Sequence, residues 1–124
     1  NKIMYRKNIV GLGGVRKKPT LKKGDFVSFD LYVAKPDIYG NRYHSGAVFY
    51  KPKGGTMKQL GEIKPTWGGD DMARQNAYEI LKENTFKPRG RKINFRSDYR
   101  MAGIEIKENI RKDIPIRKFN KYYS

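Results

Sequence analysis

The residues of this chain with the clearest chemistry are lysines and arginines that lie close together on either side of a long neutral segment. Cations bind phosphate groups, and aromatic rings placed among them can stack on bases or pack against sugars. Both residue types interleave at Tyr5–Lys7, at Phe95–Arg100 and at Arg117–Tyr123. The pattern predicts a nucleic-acid backbone site made by these residues: Lys17, Lys18, Lys22, Lys23, Arg89, Arg91, Lys92, Arg96 and Arg100.

Other chemistries find little support in the residue types present. The chain has no cysteine, which excludes disulfides, thiolate metal sites and a cysteine nucleophile. Its single histidine, His44, cannot complete a metal site alone and is expected on the surface or in a strand. Asp70 and Asp71 are explained by helix capping without invoking magnesium. We therefore expect the protein not to be an enzyme and to use neither a metal nor another cofactor.

The charges divide the chain into three segments. Residues 24–84 carry eight Lys or Arg and eight Asp or Glu, so this segment is neutral. Residues 1–23 hold eight cations and no anion, whereas residues 85–124 hold twelve cations and four anions. Each flank therefore contributes +8 to the net charge of +16. Such an excess on 124 residues favours a polyanionic partner.

The same division predicts the domain organisation. A length of 124 residues favours a single domain. Residues 24–84 are expected to form a neutral β-β-β-α core, with residues 1–23 as a basic N-terminal arm. Residues 85–124 are expected to form a basic C-terminal extension that could include a hairpin. The aromatic content of 13% argues against a disordered chain.

Three strands are predicted for the neutral segment. Phe26–Ala34 alternates regularly, which places its odd-numbered residues on a buried face. Tyr43–Lys51 forms a second strand, in which Gly46 indicates a bulge or a close backbone approach. Met57–Lys64 forms a third strand, which Pro65 is expected to end.

One helix is predicted at about residues 71–83, and it is expected to pack on the sheet. Pro88 prevents its continuation, so the helix should stop near Asn84. Its apolar residues share one face at helical spacing: Ala73, Ala77, Ile80 and Leu81. The expected fold class is therefore α+β, a small antiparallel sheet of three to five strands packed by one helix.

Beyond this helix, apolar residues again alternate with polar ones at Ile93–Phe95 and at Ile104–Ile106. We expect residues 97–103 to join these two stretches as a loose hairpin, with Phe95 as a core or interface anchor. For Tyr122–Tyr123, a role in stacking on bases and a role as a packing anchor are equally compatible with the sequence.

Three strands followed by a helix with Ala73, Ala77 and Leu81 on one face resemble the second half of a double-stranded-RNA-binding domain. That family uses a basic patch at the start of its last helix. Here Asp70–Asp71 stand at that place, and the helix expected before the first strand is missing. No site residue is therefore carried over from the family.

These observations predict a non-enzymatic structural component of a large nucleoprotein assembly, which resembles ribosomal proteins in composition. Its expected partners are a nucleic-acid backbone and neighbouring protein subunits, with no membrane and no small-molecule substrate. The alternative is a structural virion protein, such as a phage capsid or head-associated component, whose arms dock on neighbouring subunits. Either reading places the protein in an intracellular nucleoprotein particle or a virion. A small DNA-binding regulator is disfavoured, because helix 71–83 carries three anions and two cations.

Overall fold

A computed structural model describes residues 9–11 and 18–115 of the chain, and these residues form an α+β fold. The strands are β1 (Ile9–Gly11), β2 (Phe26–Ala34), β3 (Tyr43–Lys51), β4 (Lys58–Trp67) and β5 (Glu105–Ile114). Helices α1 (Asp70–Asn84) and α2 (Arg96–Met101) lie between β4 and β5 in the chain. The strands form one sheet in the order β1-β4-β3-β2-β5. The predicted α+β class with a small sheet is confirmed.

The centre of the sheet is the antiparallel pair β2–β3, whose predicted bounds are confirmed. The odd-numbered residues of β2 from Val27 to Val33 are buried, as the alternation predicts. The prediction for Gly46 is also confirmed. The register of β3 with β4 shifts beside this residue, and a Cβ atom added to it would overlap the backbone oxygen of Asp30. Only glycine therefore allows β2 to approach β3 this closely.

Pro65 does not end β4, so this part of the prediction is wrong. The strand runs through the proline to Trp67. On its β3 side Ile63 pairs with Gly46 and Thr66 pairs with His44. Lys64 and Pro65 therefore oppose the single residue Ser45 in a bulge. A bulge tolerates proline because the ladder needs no N–H at that position.

The C-terminal segment differs most from the prediction, because the sheet is mixed and contains a second helix. β5 runs parallel to β2, from Phe26 opposite Glu105 to Leu31 opposite Ile110. The predicted hairpin at residues 97–103 is wrong, since Arg96–Met101 is helical. The expectations of a purely antiparallel sheet and of one helix are therefore both wrong.

Local hydrogen bonds explain why residues 96–101 form a helix. The Asp98 carboxylate accepts the N–H groups of Asn94 and Phe95 at 2.7 and 2.9 Å. These bonds fix the chain at the helix start and hold the pKa of Asp98 below its usual value. Phe95 is consequently 72% exposed just before the helix, so it is not a core anchor, and its alternative role as an interface anchor stays a prediction.

The hydrophobic core lies between the sheet and α1. Its helical face consists of the predicted residues Ala73, Ala77, Ile80 and Leu81, all of which are buried. The core also includes side chains from both sequence flanks, namely Leu21, Tyr99 and Ile104. Parts of the chain before Gly24 and after Asn84 are therefore integral to the folded body.

The acidic pair lies in the first turn of α1, where Asp70 accepts a free backbone N–H as predicted, although neither residue occupies the capping position. Gly69 occupies the capping position without a side-chain bond, and Asp70 is already helical. Asp70 also lies 3.1 Å from the Lys112 ammonium, and both aspartates lie within 4 Å of Arg74. The bond to Lys112 is the main reason that the pKa of Asp70 is lowered. The anions of α1 thus neutralise cations of the fold itself.

Candidate nucleic-acid interface

A short parallel bridge joins the two basic flanks. The N–H of Leu21 donates to the Phe86 oxygen at 2.9 Å, and the N–H of Phe86 donates to the Pro19 oxygen at 2.8 Å. Successive residues of an extended chain point to opposite sides. Because Leu21 and Thr85 are buried, their neighbours Thr20 and Phe86 face outward. The bridge brings together residues that are more than 60 positions apart in the sequence.

The turn that carries Lys22 and Lys23 is held by the buried carboxylate of Asp25. This group accepts the N–H of Lys22 at 2.8 Å and the N–H of Lys53 at 3.0 Å. It also accepts the Tyr50 hydroxyl at 3.0 Å. Burial, followed by the bond and the charge of Asp25, raises the pKa of Tyr50 to about 12. The hydroxyl therefore remains a donor, and the two lysines are fixed at the surface.

Across from this turn, a second turn presents Arg89 and Arg91. The N–H of Arg91 donates to the Pro88 oxygen at 3.1 Å. Gly90 has a φ of +75°, a backbone conformation that residues with a side chain rarely adopt. Pro88 is buried and anchors the turn, whereas both arginines are exposed. Their guanidinium groups are therefore available for bidentate bonds to phosphate.

The two turns enclose an open groove of about 720 Å³, which we call the basic groove. The cations that line it are Lys22, Lys23, Lys87, Arg89 and Arg91. The ring of Phe86 also contributes to the lining, and the described lining residues include no carboxylate. A concave surface of one charge sign raises the local concentration of oppositely charged partners. The arrangement can bind an anionic chain by electrostatics.

The structure brings together four of the predicted site residues. Lys22, Lys23, Arg89 and Arg91 line the basic groove. Lys18 and Lys92 are exposed but do not line it. Lys17 lies outside the described residues, as do Tyr122 and Tyr123.

Arg96 and Arg100 belong to α2 and lie away from the groove lining. The Arg96 guanidinium carbon lies 4.9 Å from the centre of the Tyr78 ring. The ring of Tyr78 in turn contacts those of Phe29 and Tyr99, with centres 4.8 and 6.2 Å apart. Burial raises the pKa of Tyr99 to about 12. Arg96 is therefore stacked on a partly buried aromatic cluster.

The surface around Arg96 forms a second cavity, of about 470 Å³, which we call the aromatic pocket. Its rings come from Tyr78, Phe95 and Tyr99, and its carboxylates come from Asp71 and Glu79. The cations Lys82 and Arg96 line the same pocket, so its charged lining residues balance to neutral. The aromatic pocket is therefore electrostatically unlike the basic groove.

Sequence reasoning missed Lys87 and Phe86 as parts of the groove. Lys87 could have been found, because it opens the same basic loop as Arg89 and Arg91. No local signal distinguishes Phe86, which is exposed, from the buried aromatic residues. Its exposure follows from the bridge to Thr20, which is a long-range contact.

His44 is fully buried in β3, which confirms a strand position and corrects the expected surface one. Its Nδ1 lies 2.9 Å from the Gly68 oxygen, and its Nε2 lies 2.8 Å from Nδ2 of Asn76. A neutral ring that donates through Nδ1 and accepts from Asn76 satisfies both contacts. Burial lowers the pKa of His44. This residue therefore holds α1 and the segment after β4 to the sheet.

Residues 9–11 and 18–115 contain neither a candidate metal site nor a membrane-spanning helix. No group of three or more His, Asp or Glu side chains there could hold a metal ion. No helix in the same residues is long and apolar enough to cross a membrane.

The chain matches no family model, no curated protein and no solved structure. Its likeness to double-stranded-RNA-binding domains therefore remains a similarity of element order. The basic groove is therefore the feature from which we infer the function.

Proposed function

We propose that this protein is a non-enzymatic structural component of a large nucleoprotein assembly, and that it binds the phosphate backbone of nucleic acid through the basic groove. The observation that carries the proposal is the convergence of two distant cationic segments. Lys22 and Lys23 meet Lys87, Arg89 and Arg91 around one concave surface, and no carboxylate is found among the described residues of its lining.

Some cations elsewhere in the folded body differ from the groove cations in being paired with carboxylates, and this difference supports the proposal. Asp70 and Asp71 are engaged with Arg74 and Lys112, so part of the cationic charge is neutralised within the fold. The groove cations are exposed instead. Lysine and arginine contacts to phosphate position a protein on nucleic acid without reading its sequence. Lys18 and Lys92, which are exposed nearby in sequence, would add to the same backbone contacts.

A salt titration of nucleic-acid binding tests the proposal. Each phosphate contact releases counterions, so the affinity must fall steeply with salt. With roughly six to ten contacts, the loss between 50 and 200 mM salt should be about 10³- to 10⁵-fold. A flat dependence on salt, or no binding at about 50 mM salt, contradicts a backbone-binding function.

A structural virion protein that docks on neighbouring subunits is the second candidate, and the loop between β2 and β3 favours it. Ile38 and Tyr39 are 91% and 82% exposed there. The Asp37 carboxylate accepts the N–H groups of Tyr39 and Asn41, both at 2.9 Å, so the loop is well defined. Two ordered apolar side chains in solvent suit a protein contact.

The two candidates differ in how binding responds to salt. Docking through Ile38 and Tyr39 buries apolar surface, so the affinity for a partner subunit should change little between 50 and 200 mM salt. Substitution of both residues by serine should weaken that association and leave nucleic-acid binding unchanged. Loss of nucleic-acid binding in this variant would argue against the basic groove.

A further inference from the structure

The ring of Phe86 is the feature of the basic groove that phosphate binding alone does not explain. It is 56% exposed and lies among the groove cations. Its backbone is fixed by bonds to Pro19 and Leu21, and the inward direction of Thr85 forces the ring outward. The fold therefore holds a large apolar ring in solvent at a surface that suits an anionic chain.

An exposed ring between cations offers a stacking surface for a nucleic-acid base. Every base has a π face, and stacking on an aromatic side chain requires that this face be accessible. In a duplex both faces of each base are covered by neighbouring bases. Only an unpaired base can use the Phe86 ring, while its flanking phosphates reach the lysines and arginines on the two sides of the groove.

Phe95 provides a natural contrast within the same chain. It is even more exposed, but it lines the aromatic pocket with Asp71 and Glu79. Because Lys82 and Arg96 balance these carboxylates, the aromatic pocket is neutral and attracts the phosphates that accompany a base less than the basic groove does. Exposure of a ring alone therefore does not distinguish the two phenylalanines, whereas the surrounding charge does.

We infer that the basic groove binds single-stranded nucleic acid in preference to duplex, with an unpaired base stacked on Phe86 and the adjacent phosphates bound by the cations of the two turns. This inference rests on the proposed function and adds the class of nucleic acid to it. The groove thus distinguishes single strands from duplex but not one base sequence from another, because every base can stack on an aromatic ring.

Fluorescence anisotropy with labelled oligonucleotides of about 12 nucleotides tests the inference, since a single binding surface covers roughly 4 to 16 nucleotides. The probes are oligothymidylate, oligouridylate and a duplex of the same length. The full chain should bind both single strands more tightly than the duplex. Phe86→Ala should weaken single-strand binding roughly 5- to 100-fold and change duplex binding by less than about twofold.

Matched variants separate stacking from folding and from general exposure. Phe95→Ala removes a ring that is even more exposed but lies outside the groove, and it should leave both affinities unchanged. Phe86→Leu keeps an apolar side chain at the bridge without a ring, and it should reproduce the loss. Phe86→Trp keeps an aromatic ring and should bind single strands as the unmodified protein does. Thermal melting of each variant verifies that the fold is retained.

Two results overturn the inference in different ways. The first is an equal affinity of the unmodified protein for duplex and single strands. The second is a Phe86→Ala variant whose affinity for single strands equals that of Phe95→Ala, which would show that no base stacks on Phe86. If the salt dependence stays steep in either case, the backbone-binding function stands without the stacking. If no probe binds at about 50 mM salt, both the inference and the proposed function fail.

Discussion

The basic groove and the aromatic pocket share two residue types but differ in net charge. Each has exposed arginine and an exposed phenylalanine. In the groove the cations surround Phe86, and the described lining residues include no carboxylate. In the pocket Arg96 stacks on Tyr78, and Asp71 and Glu79 lie on the same surface. The difference shows that the neighbours of a cation decide whether it is available to a partner.

The two regions also differ in how they are built. The aromatic pocket lies on α1 and α2, which are close in sequence. The basic groove depends on a bridge between Thr20 and Phe86 and on the carboxylate of Asp25. Substitutions at such positioning residues should therefore affect the groove selectively.

The largest effect on this comparison is expected from Asp25→Ala. The variant leaves three donors without their acceptor: the N–H groups of Lys22 and Lys53 and the Tyr50 hydroxyl. Unsatisfied buried donors should lower the free energy of unfolding by about 2–4 kcal/mol in a urea titration. Tyr50→Phe removes only one of the three bonds and should cost about 1 kcal/mol. Equal losses in both variants would show that the carboxylate does not organise the turn.

A smaller effect is expected from Gly103→Ala, which crowds the same turn from the opposite side. Gly103 has a φ of +83°, and an added Cβ would lie 2.6 Å from Cγ of Lys23. Gly40→Ala is the matched control, because its φ of +82° is similar and no atom lies within 4 Å of the added Cβ. Both variants should lose about 1–2 kcal/mol of stability through backbone strain. Only Gly103→Ala should also weaken nucleic-acid binding, and equal binding by the two would contradict the placement of Lys23.

The pH dependence should affect the fold but not the groove. Burial lowers the pKa of His44 in the folded state, so the unfolded chain binds the proton more tightly. The stability that neutral His44 contributes is present above about pH 6.5 and is lost as the pH falls toward its folded pKa. Thermal melting between about pH 7.5 and 5 should therefore show a falling midpoint, which His44→Gln flattens. Groove binding measured on folded protein should not change over this range, because the described lining residues of the groove include neither a histidine nor a carboxylate.

The smallest effects come from single arginines, and they compare the two regions directly. Arg96→Gln removes the cation over Tyr78 and should lower stability by about 0.5–1 kcal/mol without changing the salt dependence of binding. Arg91→Gln should leave stability within about 0.5 kcal/mol and reduce the salt slope by about 0.7 to 0.9. Calorimetry and a salt titration on both variants measure these quantities. The reverse pattern would assign phosphate binding to the aromatic pocket.

The sequence predicts the locally encoded parts of this fold. Alternation in Phe26–Ala34 defines the buried face of β2, and the apolar spacing from Ala73 to Leu81 defines the buried face of α1. The parallel pairing of β5 with β2 could not be predicted, because β3, β4, α1 and α2 lie between these two strands in the sequence. The helix at Arg96–Met101 was not predicted, because the alternation of the preceding residues indicated a strand. The bonds that the Asp98 carboxylate accepts from Asn94 and Phe95, which fix the helix start, are visible only in the structure.

The candidate site follows the same rule. Charge composition predicts cations such as Lys22 and Arg89 as contacts but cannot tell which of them meet. Phe95 is exposed and not a core residue, and Phe86, for which the sequence made no prediction, is exposed among cations. Long-range backbone bonds to Pro19 and Leu21 position Phe86, whereas local bonds to Asp98 position Phe95.

The most direct test of the central claim compares two variants with the same loss of charge. The first changes the groove residues Lys22, Lys23, Arg89 and Arg91 to glutamine. The second changes exposed lysines of the neutral segment to glutamine, namely Lys35, Lys58, Lys64 and Lys82. The measurement is the slope of log affinity for nucleic acid against log salt concentration.

If the basic groove binds the backbone, the groove variant should reduce that slope by about 3 to 4, since each lost contact removes roughly 0.7 to 0.9. The control variant should keep a slope close to that of the unmodified protein, because exposed charges beyond about 10 Å are screened. Equal flattening in the two variants would contradict the account, because binding would then depend on net charge and not on the groove.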